Sequence, residues 1–137
     1  MTRVLLDIDV VLDVLANREP FADEAEAVLQ RVESRAITGL VAANTITTLH
    51  LLLAKHLTKA RVRRVLTDLL HLVQVVAVDE DRIRHALALN WSDFEDAVQA
   101  ACAENAQADY LITRDKHGFR KSAVKILTPA ELLALYP

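Results

Sequence analysis

The sequence predicts an α/β protein whose mostly parallel sheet is covered by helices on both faces. Three observations carry that expectation. Short aliphatic, β-branched runs alternate with helical segments along the whole chain. Only two glycines and three prolines occur in 137 residues, too few for a turn-rich β sandwich or a disordered chain. Hydrophobic residues make up 53% and aromatics 4%, so the core is sizeable and mostly aliphatic. The length suits one domain over residues 1–137, and no repeat, low-complexity tract or linker divides it.

Each element has a local reason. "RVLLDI" (3–8) is a strand, and "DVVLDVL" (9–15) begins a short helix. Pro20 marks the next helix start, where Phe21, Ala25, Val28, Leu29 and Val32 fall on one face. "AITGLVAA" (36–43) is a second strand. Asn44 can cap the helix that follows, whose stripe is Ile46, Leu49, Leu53 and Leu57. Thr58 caps another helix, with Val62, Val65, Leu66 and Leu69 inward. "LVQVVAV" (72–78) is a β-branched strand, and Asp79 caps a helix carrying Ile83, Ala86 and Leu87. Ser92 and Glu95 form a capping box for a helix over 93–105, whose stripe is Phe94, Val98, Ala101 and Cys102. "ADYLIT" (108–113) and "VKIL" (124–127) are the last strands, and Thr128 with Glu131 makes a second capping box around Pro129.

In such sheets, sites gather at the carboxyl ends of the strands. Asp7 ends the first strand, Asp115 lies just past "YLIT", and Asp96 sits in the first turn of the helix before that strand. These three carboxylates are candidates to converge at one edge. They could not all ionise side by side without a cation, and hard oxygen ligands suit Mg²⁺ or Mn²⁺. Such an ion activates water and stabilises charge on a phosphodiester being cut. Other roles stand beside this one. Asp7 can simply cap the next helix, Glu95 fits a capping role, and Asp115 can shape a turn. Asp9 and Asp13, four apart on a short helix, read as solvated or paired with Arg18 or Arg3. The five histidines make no site, and two glycines leave no Gly-rich phosphate loop.

The net charge is −3, yet segment 110–125 holds Arg114, Lys116, Arg120, Lys121 and Lys125 against Asp115 alone. That stretch is either a solvated face or a track for an anionic substrate, with Arg114 and Lys116 flanking Asp115 as the candidate cations for it. The lone Cys102 excludes an internal disulfide and fits a reducing compartment. Asp7 interrupts the first apolar stretch too early for a secretory signal, and no uncharged run is long enough for a bilayer. A cytoplasmic protein with no membrane role is expected. A phospho-acceptor receiver domain needs an acidic residue mid-chain, and none occurs between Glu33 and Asp68.

Two blocks carry a resemblance. "LLDIDVVLDVLANREPF" (5–21) resembles the opening of PIN domains, and "DFEDAVQAACAENAQADYLITRDKHGF" (93–119) resembles their second half. Order, spacing and length fit over nearly the whole chain, most of all the small bacterial PIN proteins that include VapC-type toxins. The resemblance implies a three-layer α/β/α fold and a Mg²⁺- or Mn²⁺-dependent endoribonuclease cutting single-stranded RNA. It also implies a homodimer and an antitoxin partner. It carries metal binding to Asp7, Asp96 and Asp115, with Asp93 an auxiliary acid. The chain departs from the family in three places. Thr48 stands about where many PIN nucleases have a glutamate, Asp9 where Asn is frequent, and Gly118 where an aspartate is common. A catalytically impaired scaffold that binds protein or RNA is therefore the competing expectation.

Overall fold

The computed structural model describes all residues from Met1 to Pro137. Its sheet has five parallel strands in the order β3-β2-β1-β4-β5. They are β1 (Arg3–Leu6), β2 (Thr38–Ala42), β3 (Gln74–Val76), β4 (Tyr110–Ile112) and β5 (Lys125–Leu127). The helices are α1 (Ile8–Leu15), α2 (Ala22–Glu33), α3 (Ala43–Leu53), α4 (Lys59–Leu72), α5 (Glu80–Leu89), α6 (Phe94–Asn105) and α7 (Pro129–Leu135). None is long and apolar enough to cross a membrane.

The two-residue period of a strand sends neighbours to opposite faces, and β1 shows it. Val4 and Leu6 join one core with α1, α2, α3, α4 and α7, whereas Leu5 joins the other with α5 and α6. The result is the expected three-layer α/β/α architecture. The second core is built from small side chains, Ala97, Ala101, Cys102 and Ala103 among them, so α6 lies close against the sheet around buried Phe119. Gly39 gives the same closeness on the other face. A methyl group there would stand 3.0 Å from both γ-carbons of Val32 on α2.

Register brings β1 and β4 level. Leu6 pairs with Ile112, and the Asp7 amide donates to the Ile112 carbonyl at 2.9 Å. The residues just after these two central strands, Asp7 and Thr113, therefore emerge side by side at the carboxyl edge.

Several local expectations are corrected. Asn44 does not cap α3: β2 runs directly into the helix, Ala42 is both last strand residue and cap, and no capping residue fits between. Asp93, not Ser92, caps α6, accepting from the Asp96 amide at 3.1 Å. A carboxylate at that position also meets the positive end of the helix dipole. Leu87 and Phe94 are exposed rather than core. The Thr58 and Asp79 caps and the Thr128–Glu131 capping box form as expected.

Candidate active site

Asp7 is buried, and both its oxygens are engaged. Oδ1 accepts from the Ile8 amide at 2.8 Å, capping α1, and Oδ2 accepts from the Thr113 hydroxyl at 2.8 Å. Thr113 also accepts from the Asp115 amide at 3.0 Å. One fully buried hydroxyl thus ties the first acid to the loop that carries the third. In the sequence Thr113 marks only a strand end. A hydroxyl at the last strand position, between two candidate acids, was the available signal.

Asp96 lies one turn into α6, and Asp115 lies on the loop after β4. Gly118 joins them. Its amide donates to Asp115 Oδ1 at 3.0 Å. A methyl group built on it would fall 2.5 Å from Asp115 Oδ2 and 3.0 Å from Asp96 Oδ2. The absent side chain leaves the space that both carboxylates border. An aspartate at 118 would not fit without displacing Asp115.

The electrostatics agree with convergence. Burial, then Asp9, pushes the Asp7 carboxyl up to about 7, with Asp96 adding to the effect. Burial, then Asp93, Asp115, Asp9 and Glu95, pushes Asp96 up to about 6. Asp9 is also raised, chiefly by burial, and its Oδ1 is buried without a hydrogen-bond partner. Asp9 therefore belongs to the acidic group, and it forms no ion pair with Arg18 or Arg3. Asp93 stands at its margin, with its carboxylate committed to the α6 cap.

Asp13 is different. It is 1% exposed and sits between two guanidinium groups, Arg18 at 2.8 Å and Arg114 at 2.7 Å. Arg114 makes two bonds to it and lies 3.8 Å over the Phe21 ring. Arg18 is the partner that sequence proximity suggests; Arg114 comes from 101 residues away. Arg3 instead holds the Ala106 carbonyl. Arg114 and Lys116, the candidate phosphate-binding cations, both have carboxylate partners here. Arg114 neutralises a buried carboxylate, and Lys116 pairs with Glu131 at 2.9 Å.

Thr48, at the position where an acid is common, donates its hydroxyl to the Asn44 carbonyl at 3.1 Å. Behind it, Gln99 on α6 donates to buried Thr45 at 2.6 Å. The α3 side of the edge is thus polar but uncharged.

No three Asp, Glu, His or Cys side chains stand close enough together to form a finished ion cage. The donor chemistry nevertheless fits a divalent cation. All candidate donors are hard carboxylate oxygens, Asp9 Oδ1 is buried without a hydrogen-bond partner, and the Gly118 gap separates two of the acids.

A family model described as PIN domain matches residues 3–117. No curated protein matches the chain significantly. Among solved structures, VapBC-1 from nontypeable Haemophilus influenzae is similar at TM-score 0.71 and 15% identity, covering 94% of this chain and 99% of that one. A toxin–antitoxin complex from Klebsiella pneumoniae gives TM-score 0.69 and 21% identity, covering 92% and 97%. PAE2754 from Pyrobaculum aerophilum gives 0.65 and 20%, covering 98% and 88%.

Proposed function

The chain belongs to the PIN domain family, and on that premise we propose that it is a divalent-metal-dependent endoribonuclease cutting single-stranded RNA, the toxin of a toxin–antitoxin pair. The observation that carries the reading is a carboxyl edge bordered by Asp7, Asp96 and Asp115, with raised proton affinity on the first two and a glycine gap between the last two. The toxin assignment is supported by likeness to proteins solved as VapBC-1 and as a toxin–antitoxin complex. An apolar groove of about 490 Å³, lined by Leu12, Leu15, Leu52, Leu53 and Leu57, is a surface on which an antitoxin segment could lie.

In this reading Asp7, Asp96 and Asp115 hold Mg²⁺ or Mn²⁺. When bound, the ion supplies the positive charge that lowers the pKa of an attacking water and stabilises charge on the scissile phosphate. Thr113 fixes Asp7 and the Asp115 loop together, so two of the three acids keep one relative position. Asp93 lies where it can orient a water. Hydrolysis breaks the bond from phosphorus to the 3′ oxygen, leaving a 5′-phosphate and a 3′-hydroxyl.

A second reading, an impaired scaffold that binds RNA or protein, is favoured by one observation: neutral Thr48 bonds only the Asn44 carbonyl. A ribonuclease assay separates the two. Wild type in Mn²⁺, freed of any partner, is expected to cut single-stranded RNA, and Asp7→Asn to cut none. Equal cleavage by both would assign the activity to another site or a contaminant. No cleavage by wild type would leave the scaffold.

A further inference from the structure

With Arg114 and Lys116 committed to Asp13 and Glu131, the cations near the acids that pair with no carboxylate are Arg120 and Lys121. Both are exposed, and both line a polar cavity of about 260 Å³. Its other walls are Asn90, Trp91, Ser92, Asp93 and Gly118. Two of these residues also border the acidic group. Gly118 faces Asp96 and Asp115 with no side chain between, and the Asp93 carboxylate is turned to the Asp96 amide. The cavity and the acids are therefore neighbours across Gly118.

The walls are held in place. Asn90 ends α5 in the left-handed conformation, at φ 55°, and turns the chain into Trp91–Asp93. Trp91 packs edge to face on buried Phe119, with ring centroids 6.1 Å apart and planes at 76°. The Arg120 Nη1 donates to the His117 carbonyl at 3.0 Å. That bond orients the guanidinium and leaves its other donors available. An anchored indole beside two unpaired cations combines the two features by which proteins bind a single strand: a face for a base and positive charge for a phosphate.

We propose that the cavity walled by Trp91, Arg120 and Lys121 binds the nucleotide next to the scissile phosphate of a single-stranded RNA. Trp91 stacks on its base, and Arg120 and Lys121 hold its phosphate. The identity of the strand rests on the nuclease reading; the cavity and its chemistry do not. The cavity is too small for a duplex, so the subsite selects a splayed base.

Trp91 is the only tryptophan, so its fluorescence reports on this cavity alone. The test titrates a single-stranded oligoadenylate RNA into the Asp7→Asn full-length chain in Mg²⁺ at several salt concentrations. Saturable quenching of Trp91 is expected. In the same background Arg120→Ala/Lys121→Ala, both at exposed positions, should bind more weakly and lower the log–log salt slope by about 0.7, the value for one lost single-strand phosphate. A silent Trp91, an unchanged slope in the double variant, or equal quenching by duplex RNA would overturn the subsite. Cleavage by wild type in Mn²⁺, measured in parallel, reads the other claim. Cleavage with a silent Trp91 sinks the subsite and keeps the nuclease, whereas quenching without cleavage keeps the subsite and sinks the nuclease.

Discussion

At Asp7, burial and the neighbouring acids hold the folded carboxyl near pKa 7, against an ordinary value of 3.8. A raised folded pKa means that the folded state binds the proton more tightly. Its contribution to stability is fully present below about pH 4 and is lost as pH rises through about 7. Asp96, raised to about 6, acts in the same direction. In EDTA the protein should therefore melt higher at pH 5.5 than at pH 8, and Asp7→Asn should flatten that difference and raise Tm at pH 8. Parallel pH profiles for the two proteins would show that Asp7 is not the group responsible. Asp13 makes the opposite case, a buried carboxylate already neutralised by Arg18 and Arg114. Asp13→Ala leaves two partly exposed guanidinium groups without their partner and should cost about 1.5–3 kcal/mol. Urea unfolding reads that loss directly, and a change below about 1 kcal/mol would mean that the pair is solvated.

Among the elements, the contact of α2 with β2 depends on Gly39. The γ-carbons of Val32 lie where its Cβ would press at 3.0 Å, and Val73 Cγ1 lies at 3.3 Å. Gly39→Ala should destabilise the fold by about 1–3 kcal/mol through overpacking, with little change in local helix content. Circular dichroism during denaturant unfolding tests both parts. The helix starts show how local chemistry and connection length compete. Thr58, Asp79 and Thr128 cap their helices because a loop residue precedes each. At α3 the strand leaves no such residue, so Asn44 is carried into the helix.

For the whole molecule, α3 carries more apolar surface than its own core uses. Leu49 and Leu53 are buried, whereas Leu51 is 64% exposed. Self-association through this face is a prediction that mass measurement tests. Light scattering should give a dimeric mass at micromolar concentration, and Leu51→Asp should shift it to monomer. A strictly monomeric wild type would reject self-association and leave the face to a different partner.

Alternation of strands and helices, three of the caps, and the positions of Asp7, Asp96 and Asp115 at strand ends and a helix start were legible in the sequence. Each depends on side-chain period or on residues within one turn of each other, which local physics controls. Asp9, Thr113 and the true partners of Arg114 and Lys116 were not legible, because their environments are assembled from distant segments. Whether a carboxylate is solvated, paired or orphaned depends on what else the fold buries beside it, and charge counting along 110–125 could not tell a committed cation from a free one. Gly118 shows the division most clearly. In the sequence it is a missing acid. In the fold its lack of a side chain is the space between Asp96 and Asp115, a meaning that arises only when α6 and the β4 loop are brought together. The sequence by itself determined which groups are the candidates and on which elements they lie; the tertiary structure decided which of them are paired and which are not, because desolvation and pairing energies depend on neighbours that chain order does not specify.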